Sequence, residues 1–464
     1  MNEKTKKKTL TYLLAFTIPL VIRAIPELKY KYPLGADTPF YMYTIKYGKI
    51  PPLIMSIWRQ NNIYYTLLTH IGKTGIDPMF FFKIYPPIVF TLTILAFVAY
   101  ADIKLKWKPR DLIILSTTMT LTPALLRLSW DLHRQNFATL ILAWTIVLYS
   151  TNLSWKIKAP TILASLITIG LTHEMPFIIA LTIFTWTLIE TAIRNKQARK
   201  KLIPTTLLAL TIPLIIYLHA RNYQIEYMLN KTILDNKWAL TWKSLDHFAT
   251  IALLSFGFQI PFAIAGAFYN PILTSWLIPT MTPYLTLMLA PKYIGLYDRW
   301  LYLAAPTIAF YAANYIRKLD FRKIAPYAIL LALTIQPLSM IGTLPLPLIF
   351  YAGKTLNVFT DLLAPCISEE RIEALQYFKQ YIEKQSKIKT IGFHPWYLSG
   401  WISYIYGNYN LKYYGTTLAW ARKGKTLYYI TFNDHRNPML KYKNINQTKI
   451  ATYKELALYI LNPK

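Results

Sequence analysis

The chain has 464 residues, of which 54% are hydrophobic and only 16% are charged. Soluble domains average roughly 25% charged residues, so a soluble multidomain protein is excluded. A net charge of +30 would suit nucleic acid, but the lysines and arginines cluster at the ends of long apolar runs. That pattern is typical of membrane proteins and their anionic lipid headgroups, so we predict membrane lipids and no nucleic acid as partners. The single cysteine, Cys366, excludes an intramolecular disulfide and a cysteine-rich metal site.

Apolar runs near 20 residues long, enough to cross ~30 Å of hydrocarbon, recur through the first three quarters of the chain. They predict an α-helical polytopic membrane protein with about eleven spans, the first of them an uncleaved N-terminal span. Spans five and six are predicted to separate at His173, because Glu174 would be costly in lipid. The predicted spans are residues 9–26, 79–101, 111–127, 136–150, 159–172, 176–192, 202–219, 248–268, 271–290, 300–316 and 324–343.

Basic residues predict the orientation, because short cytoplasmic loops carry an excess of Lys and Arg. The basic segments alternate along the chain in a way that places them on one side together with the N-terminus: residues 4–8, 104–110, 156–158, 194–201 and 317–323. With a cytoplasmic N-terminus, the other loops and everything after about residue 350 lie outside the cell membrane. The predicted domains are therefore a multi-span domain at residues 1–348 and a small extracytoplasmic α/β domain at residues 349–464.

Within the C-terminal domain, residues 368–387 predict an amphipathic helix with Ser368 as N-cap and acidic residues in the first turn. Residues 389–393 and 427–432 predict strands, because they are short apolar runs rich in β-branched and aromatic side chains. Residues 399–406 and 453–461 predict helices.

Four polar constellations fall on the predicted outer face. The first is Asp37, between Gly35 and Pro39 in the first outer loop. Asp before Thr-Pro is a good N-cap, so capping of an interfacial helix is one interpretation. The other is a carboxylate at a cleft at bilayer level, kept ionised by the nearby Lys46 and Lys49.

The second constellation is the LSWDLHRQN segment at residues 128–136. Asp131 and His133 could ligate one divalent cation, Mg or Mn, and Arg134 could hold a phosphate, although a site without metal is equally compatible with these residues. The alternative is a polar hairpin turn.

The third constellation, His173 and Glu174, pairs an imidazole with an acid at a short outer turn, or else consists of ordinary turn residues. The fourth, Asp298 and Arg299, opens the tenth span beside aromatic residues. Arg299 could clamp an anionic headgroup, or serve only as an interfacial anchor.

These features together resemble the GT-C superfamily of integral-membrane glycosyltransferases, nearest to the protein O-mannosyltransferases and aminoarabinose transferases of bacteria and archaea. The resemblance rests on the Asp-bearing first outer loop, the WDLHRQN turn, the outer His-Glu turn, the late Arg-aromatic-Pro span and the outer C-terminal domain. It implies transfer of a sugar from a polyprenyl-phosphate-linked donor to a glycan, lipid or protein acceptor on the outer face. The WWDYG motif of oligosaccharyltransferases does not occur in the sequence, which argues against transfer en bloc to asparagine.

Carried over by this resemblance, Asp37 would be the catalytic acidic residue of the first loop, and Asp131 would resemble that of the second. Glu174 is a further catalytic candidate. The chemistry needs a base for the acceptor hydroxyl and positive charge for the departing phosphate. Asp37 could supply the base. The residues predicted to bind phosphate or substrate are His133, Arg134, His173, Asp298 and Arg299.

Two other functions compete with glycosyl transfer. A transporter or flippase for lipid-linked or small polar solutes would require charges buried in mid-span and repeated halves. The sequence shows no repeated halves, and Arg23 and Lys83 lie near span ends. A scaffold that only displays the C-terminal domain would not need four polar constellations on one face.

Overall fold

A computed structural model describes residues 3–52, 62–130, 132–194, 255–287, 297–340, 367–385, 388–422, 425–434, 437–438 and 445–463, with short pieces between residues 211 and 253 and at 350–351 and 354–355. The chain divides into two compact units. One contains Met1–Ile25 and Ile84–Thr360, and the other contains Pro26–Lys83 and Asp361–Lys464. We call them the membrane unit and the loop–tail unit. The predicted domain boundary at residues 348/349 lies outside the described residues.

The helices before the C-terminal region are, in chain order, α1 Glu3–Lys29, α2 Thr38–Tyr47, α3 Ile63–Gly72, α4 Pro78–Ile103, α5 Pro109–Thr120, α6 Pro123–Trp130, α7 His133–Ser150, α8 Trp155–Thr172, α9 Glu174–Arg194, α10 Gln259–Gly266, α11 Pro271–Leu287, α12 Tyr297–Ile316 and α13 Ala325–Met340. Predicted spans within the described residues coincide with helices. The predicted span at residues 202–219 lies almost entirely outside the described residues, as does the start of the one at 248–268.

The membrane unit has the long apolar helices of a polytopic membrane protein. Among the described residues, three helices are long and apolar enough to cross a membrane: Thr5–Lys29, Pro78–Ile103 and Glu174–Thr191. A fourth span results if α5 and α6, bent by 60° at a short break, count as one. The number of spans predicted from the sequence, about eleven, stays a prediction.

Two helix breaks follow from local sequence. Residue Thr122 precedes Pro123, and the residue before a proline disfavours helical backbone, so residues 111–127 form two helices instead of one straight span. His173 is extended, with φ −157° and ψ 133°, between α8 and α9. The predicted separation of spans five and six is therefore confirmed, and Pro176 lies in the first turn of α9, where its missing N–H is tolerated.

Helix α12 is the packing centre of the membrane unit. It packs against α5, α6, α10 and α11, and its alanines at 304, 305, 309, 312 and 313 are fully buried. A Cβ at Gly266 of α10 would lie 2.0 Å from the Tyr311 carbonyl oxygen. Small residues let helix backbones approach closely in membranes, where this packing replaces a hydrophobic driving force.

One end of the membrane unit is strongly charged. Lys8 near the start of α1 pairs with Asp102 near the end of α4 at 2.6 Å. Arg110 donates a hydrogen bond to the carbonyl oxygen of Arg317, whose guanidinium lies 4.4 Å above the Trp107 ring. Three of the basic segments predicted to be cytoplasmic, residues 4–8, 104–110 and 317–323, therefore lie at one end of these helices.

The C-terminal part of the loop–tail unit is a mixed sheet with helices. Its elements are α14 Glu369–Gln385, β3 Thr390–Phe393, α15 Ser399–Ile405, β4 Asn410–Tyr413, α16 Tyr414–Arg422, β5 Leu427–Phe432, β6 Ile445–Tyr453 and β7 Leu456–Pro463, while the membrane unit has a small hairpin of β1 Phe350–Tyr351 and β2 Lys354–Thr355. The sheet order is β4-β3-β5-β7-β6, with β3 parallel to β4 and β5, and β7 antiparallel to β5 and β6. The predicted helix at 368–387, the strands at 389–393 and 427–432 and the helix at 399–406 are confirmed.

The predicted helix at residues 453–461 is wrong. These residues form the end of β6, a turn at Lys454 with φ 50°, and strand β7. The local Glu-Leu-Ala-Leu sequence has good helix propensity, but β7 pairs on both edges, in register with Leu427–Phe432 on one side and with β6 on the other. Pairing and burial between two strands outweigh a helix propensity of about a few tenths of a kcal/mol per residue.

Candidate functional site

Polar side chains concentrate where the helices of the membrane unit end. Six of them, contributed by the end of α1, the end of α6 and the first turn of α7, are less than 4% exposed. We call them the polar cluster: Arg23, Ser129, His133, Arg134, Gln135 and Asn136. Burial of ionisable groups in a membrane protein costs free energy, so such groups are candidates for a functional site.

The polar cluster lies at the other end of the helices from the charged end. Arg23 follows Lys8 by fifteen residues of α1, or about 22 Å at ~1.5 Å per residue. The ring of His133 makes an edge contact with Tyr85, with centroids 6.2 Å apart, and Tyr85 is close to the start of α4. Because α1 and α4 have their other ends at Lys8 and Asp102, the two polar regions occupy opposite ends of the same helices.

Arg23 is held by Ser129. Its Nε donates to the Ser129 hydroxyl at 2.7 Å and its Nη2 donates to the Ser129 carbonyl oxygen at 3.1 Å. The Ser129 hydroxyl donates in turn to the carbonyl oxygen of Leu126 at 2.7 Å. A fully buried guanidinium is thereby fixed in direction by two acceptors of one residue, as expected for a charge that must be hydrogen-bonded in a low-dielectric interior.

Gln135 connects three of the four predicted constellations. Its Nε2 donates to the carbonyl oxygen of Arg299 at 3.4 Å and lies 3.9 Å from the Met175 sulfur. Met175 follows His173 and Glu174, and Arg299 lies in the first turn of α12. The structure therefore brings the second, third and fourth constellations together around one amide.

Two buried amide atoms of the cluster have no hydrogen-bond partner among the described residues. They are Oε1 of Gln135 and Nδ2 of Asn136, on adjacent residues of the first turn of α7. Buried polar atoms are hydrogen-bonded in more than ~90% of cases, so this acceptor and this donor are candidates for contacts with a polar ligand.

The His173–Glu174 turn is polar but compact. The backbone N–H of Met175 donates to Nδ1 of His173 at 3.3 Å, and the same nitrogen lies 3.7 Å from Oε2 of Glu174. His173 therefore accepts a backbone hydrogen bond, as the turn interpretation predicts, and it also lies close to the Glu174 carboxylate, as the pairing interpretation predicts.

Sequence reasoning missed two arginines. Arg23 reads as an ordinary residue near a span end, and its partner Ser129 is 106 residues away. Arg127 has its guanidinium 4.4 Å from the Trp130 ring and 5.6 Å from the Tyr302 ring, joining α6 to α12 by cation–π contacts. The aromatic residues around Arg299 and Asp131 were the available signal, but nothing in the sequence pairs them with Arg127.

Asp37 belongs to the loop–tail unit and immediately precedes α2. It is half-buried, and its side chain makes no capping hydrogen bond, although its carbonyl oxygen accepts from the N–H of Phe40 at 3.0 Å. Asn62 and Asp77, in the same unit, do cap helices with their side chains. The capping interpretation of the Asp37 carboxylate is therefore not supported.

Lys46 is not the partner of Asp37 that its proximity in sequence suggested. It lies nine residues further along, about 13 Å at ~1.5 Å per residue, and its Nζ is 4.6 Å from the Tyr404 ring and 5.2 Å from the Tyr47 ring. Partial desolvation and then the charge of Lys379 lower the pKa of Lys46. This lysine contacts the C-terminal part of the unit instead.

Two predicted site residues have no described side chain. Asp131 lies outside the described residues, and of Asp298 only the backbone, in the first turn of α12, is described. Among the described residues, no group of three or more His, Cys, Asp or Glu side chains could hold a metal ion. The divalent-cation site at Asp131 and His133 therefore stays a prediction.

Comparison with known proteins identifies the fold. No protein-family model matches the sequence, and no curated protein matches it significantly. Solved structures do match over nearly the whole chain. The structure of ArnT from Cupriavidus metallidurans bound to undecaprenyl phosphate has a TM-score of 0.59 and 9% identity, covering 98% of both chains. The apo form of that protein has the same TM-score and coverage, with 8% identity.

A third solved structure is larger than this chain. Arabinofuranosyltransferase AftD from Mycobacteria has a TM-score of 0.54 and 10% identity, covering 97% of this chain and 41% of its own. The chain has the fold of the GT-C membrane glycosyltransferases. At such low identity the likeness concerns the fold, which agrees with the resemblance drawn from the outer-face motifs. The ArnT match extends over both the membrane unit and the loop–tail unit, because it covers 98% of the chain.

The Arg23–Ser129 contact gives a first test. Ser129→Ala removes the hydroxyl acceptor of a buried guanidinium, so the free energy of unfolding should fall by about 1–3 kcal/mol. Thermal and denaturant unfolding of the purified protein in detergent measure this. The control is Ser165→Ala, whose hydroxyl bonds the Thr161 carbonyl on an exposed helix face and whose loss should cost no more than ~0.5 kcal/mol. Equal stability of the two variants would remove Ser129 as the anchor of Arg23.

Proposed function

We propose that this protein is a membrane glycosyltransferase that moves a sugar from a polyprenyl-phosphate-linked donor to a glycan, lipid or protein acceptor. The observation that carries the proposal is the polar cluster, in which buried guanidinium and amide groups gather at one end of the helices of a GT-C fold. The ArnT structure that matches this chain holds undecaprenyl phosphate. No observation on the described residues favours the transporter alternative.

The proposed reaction needs positive charge where phosphate departs. The acceptor oxygen bonds to the anomeric carbon of the sugar while the bond from that carbon to the phosphate oxygen breaks, and the phosphate leaves with the electron pair. A phosphate can leave without a proton, so cations can replace a general acid. Arginine suits this role because its planar fork pairs with two phosphate oxygens. We assign Arg134 and Arg299 to the phosphate, and Arg23, held by Ser129, adds a further positive charge to the polar cluster.

Neutral donors complete the phosphate site. His133 and His173 are buried, and an imidazole ring can donate a hydrogen bond to a phosphate oxygen. Asn136 adds its amide nitrogen, Nδ2, which has no partner among the described residues. The N–H of Met175 orients His173 by donating to its Nδ1, and the Glu174 carboxylate, a further candidate, lies 3.7 Å from the same nitrogen. We keep Asp131 and Asp298 as further site residues, the former as a second acid and the latter beside Arg299.

Asp37 is the proposed base that takes the proton of the acceptor hydroxyl. The support is local. The backbone on both sides is constrained, with Gly35 at φ 96° and Pro39 in the first turn of α2. The carboxylate is not used to cap the helix. A positioned base contributes ~10²–10⁴ in rate.

We propose that the polar cluster and the loop–tail unit face the outside of the cell membrane. Three of the basic segments predicted to be cytoplasmic lie at the charged end, and the polar cluster lies at the opposite helix ends. The first loop and the C-terminal residues belong to one compact unit, which supports the location of these two segments on the same side of the membrane.

The activity is tested on the purified chain with decaprenyl-phosphate-linked and dolichyl-phosphate-linked pentoses and hexoses. Release of polyprenyl phosphate, measured by mass spectrometry, is expected for at least one donor. Parallel reactions with Mg²⁺, Mn²⁺ and EDTA test the cation predicted at Asp131 and His133. Absence of release with every donor and acceptor class would contradict the proposed function.

Asp37→Asn should fold, bind the donor and lose turnover by ~10² or more, because an amide cannot accept the proton. The matched control is Asp77→Asn in the same unit. Asp77 caps α4 with its carboxylate and asparagine can do the same, so turnover should stay within a few-fold. A folded Asp37→Asn protein with near-normal turnover would remove Asp37 as the base.

Arg299→Lys should weaken donor use roughly tenfold or more while the fold stays intact, because lysine offers a point charge in place of a two-oxygen fork. Donor KM and Kd for polyprenyl phosphate measure the effect. Arg110→Lys, at the charged end, is the control and should leave both constants unchanged. If Arg299→Lys behaves like the control, Arg299 is an interfacial anchor only.

Orientation is measured by labelling single cysteines in a Cys366→Ser background. A membrane-impermeant maleimide should reach a cysteine at Asn446 in intact cells and should not reach one at Lys104. The reverse pattern would place the polar cluster on the cytoplasmic side.

A further inference from the structure

The helix that follows Asp37 is enclosed by the rest of the loop–tail unit. Eight of the ten residues of α2 are buried. On one side α3 touches its backbone, since a Cβ at Gly72 would lie 2.1 Å from the Ile45 carbonyl oxygen. On the same side the Tyr41 ring packs against Tyr64 and Phe82, with centroids 5.4 and 6.1 Å apart.

The other side of α2 is covered by α15 and the residues after it, which come from the C-terminal end of the chain. The Tyr47 hydroxyl donates to the Tyr404 carbonyl oxygen at 3.2 Å, and the Tyr43 hydroxyl is 3.5 Å from the carbonyl oxygen of Gly407. A Cβ at Gly407 would lie 2.5 Å from the Tyr47 ring and 2.6 Å from the Tyr43 ring. Residues about 360 positions apart thus pack without space between them.

The chain just before Asp37 is tied to the C-terminal residues as well. The Lys31 backbone N–H donates to Oε1 of Glu369 at 2.5 Å, and its Nζ pairs with Glu373 at 3.0 Å. The Tyr32 ring meets the Trp401 ring edge-on with centroids 5.3 Å apart. The Lys31 ion pair is exposed and contributes little by itself, so the main constraint comes from the packing.

Gly400 is the contact nearest to Asp37. It is the second residue of α15 and lies in the first turn of that helix. A Cβ at this position would lie 3.2 Å from the Ala36 carbonyl oxygen and 3.3 Å from the Pro39 Cβ. These two atoms lie on the two sides of Asp37 in sequence, so the bare backbone of Gly400 sits directly against the segment that directs the carboxylate.

We propose that the C-terminal domain positions the catalytic loop of this enzyme, with Gly400 as the positioning residue that sets the location of Asp37. The inference rests on the proposed function, in which Asp37 is the base. Gly400 does not touch the reacting atoms. A side chain there displaces the Ala36 carbonyl and Pro39, and with them the Asp37 backbone. Misplacement of a reacting group by about 1 Å can cost ~10²-fold in rate.

The experiment compares Gly400→Ala and Gly400→Val with Gly415→Ala in the purified full chain. Gly415 is also the second residue of its helix, α16, and nothing lies within 4 Å of an added Cβ. We expect kcat to fall several-fold for Gly400→Ala and ~10²-fold for Gly400→Val, with donor KM and the thermal midpoint near wild type. Gly415→Ala should keep kcat within twofold. If Gly400→Val does not fold, the comparison of Gly400→Ala with Gly415→Ala tests the proposal.

A second measurement does not depend on activity. Amide hydrogen exchange of the peptide covering residues 34–44 should rise in Gly400→Val and stay at the wild-type level in Gly415→Ala. Normal kcat in both Gly400 variants, while Asp37→Asn loses turnover, would overturn the positioning role and leave the proposed function intact. Unchanged exchange in residues 34–44 would overturn it even if no donor is used. A near-normal Asp37→Asn enzyme would instead remove the assignment of Asp37.

Discussion

Polar and charged side chains that are buried in a membrane protein need hydrogen-bond partners inside the protein, and this constraint organises the membrane unit. Arg23 satisfies it through two acceptors on Ser129, while the half-buried Arg127 makes cation–π contacts with two aromatic rings. Within helices, backbone groups are already paired with one another, so the places where helices end are where further donors and acceptors become available. The polar cluster is accordingly found at the ends of α1 and α6 and the start of α7.

The helix breaks have simple local causes, and their positions bear on the proposed site. Pro123 separates α5 from α6, and the extended His173 separates α8 from α9. The second of these breaks lies beside the polar cluster, because Gln135 contacts Met175 just after it and the carbonyl oxygen of Arg299 at the start of α12. A site that handles a lipid-linked phosphate needs charge at the membrane surface and an apolar path for the lipid, and helix ends in a bundle provide the charge without burying it in mid-span.

The loop–tail unit shows a second way of holding a residue in place, in this case the proposed base Asp37. The segment around Asp37 is short, but α2 is enclosed by α3 on one side and by the C-terminal residues on the other. Close approach at Gly72, Gly400 and Gly407 leaves little freedom for the helix to move. Catalytic groups carried on loops need a rigid scaffold, and here the scaffold comes from the far end of the chain.

The sequence by itself determined the class of the protein, the approximate helices of the membrane unit and most of the C-terminal elements, because hydropathy, proline positions and capping residues are local signals. It also predicted Arg134, His173 and Arg299 on one face, from the alternation of basic loops. Three features required the tertiary structure. The strand at Leu456–Pro463 forms because β5 and β6 pair with it, against its local helix propensity. Arg23 and Ser129 meet although no pattern links residues 106 positions apart. The contact of Gly400 with the Asp37 segment exists only because the two ends of the loop–tail unit pack at backbone distance, which depends on the whole fold and leaves no periodicity in the sequence.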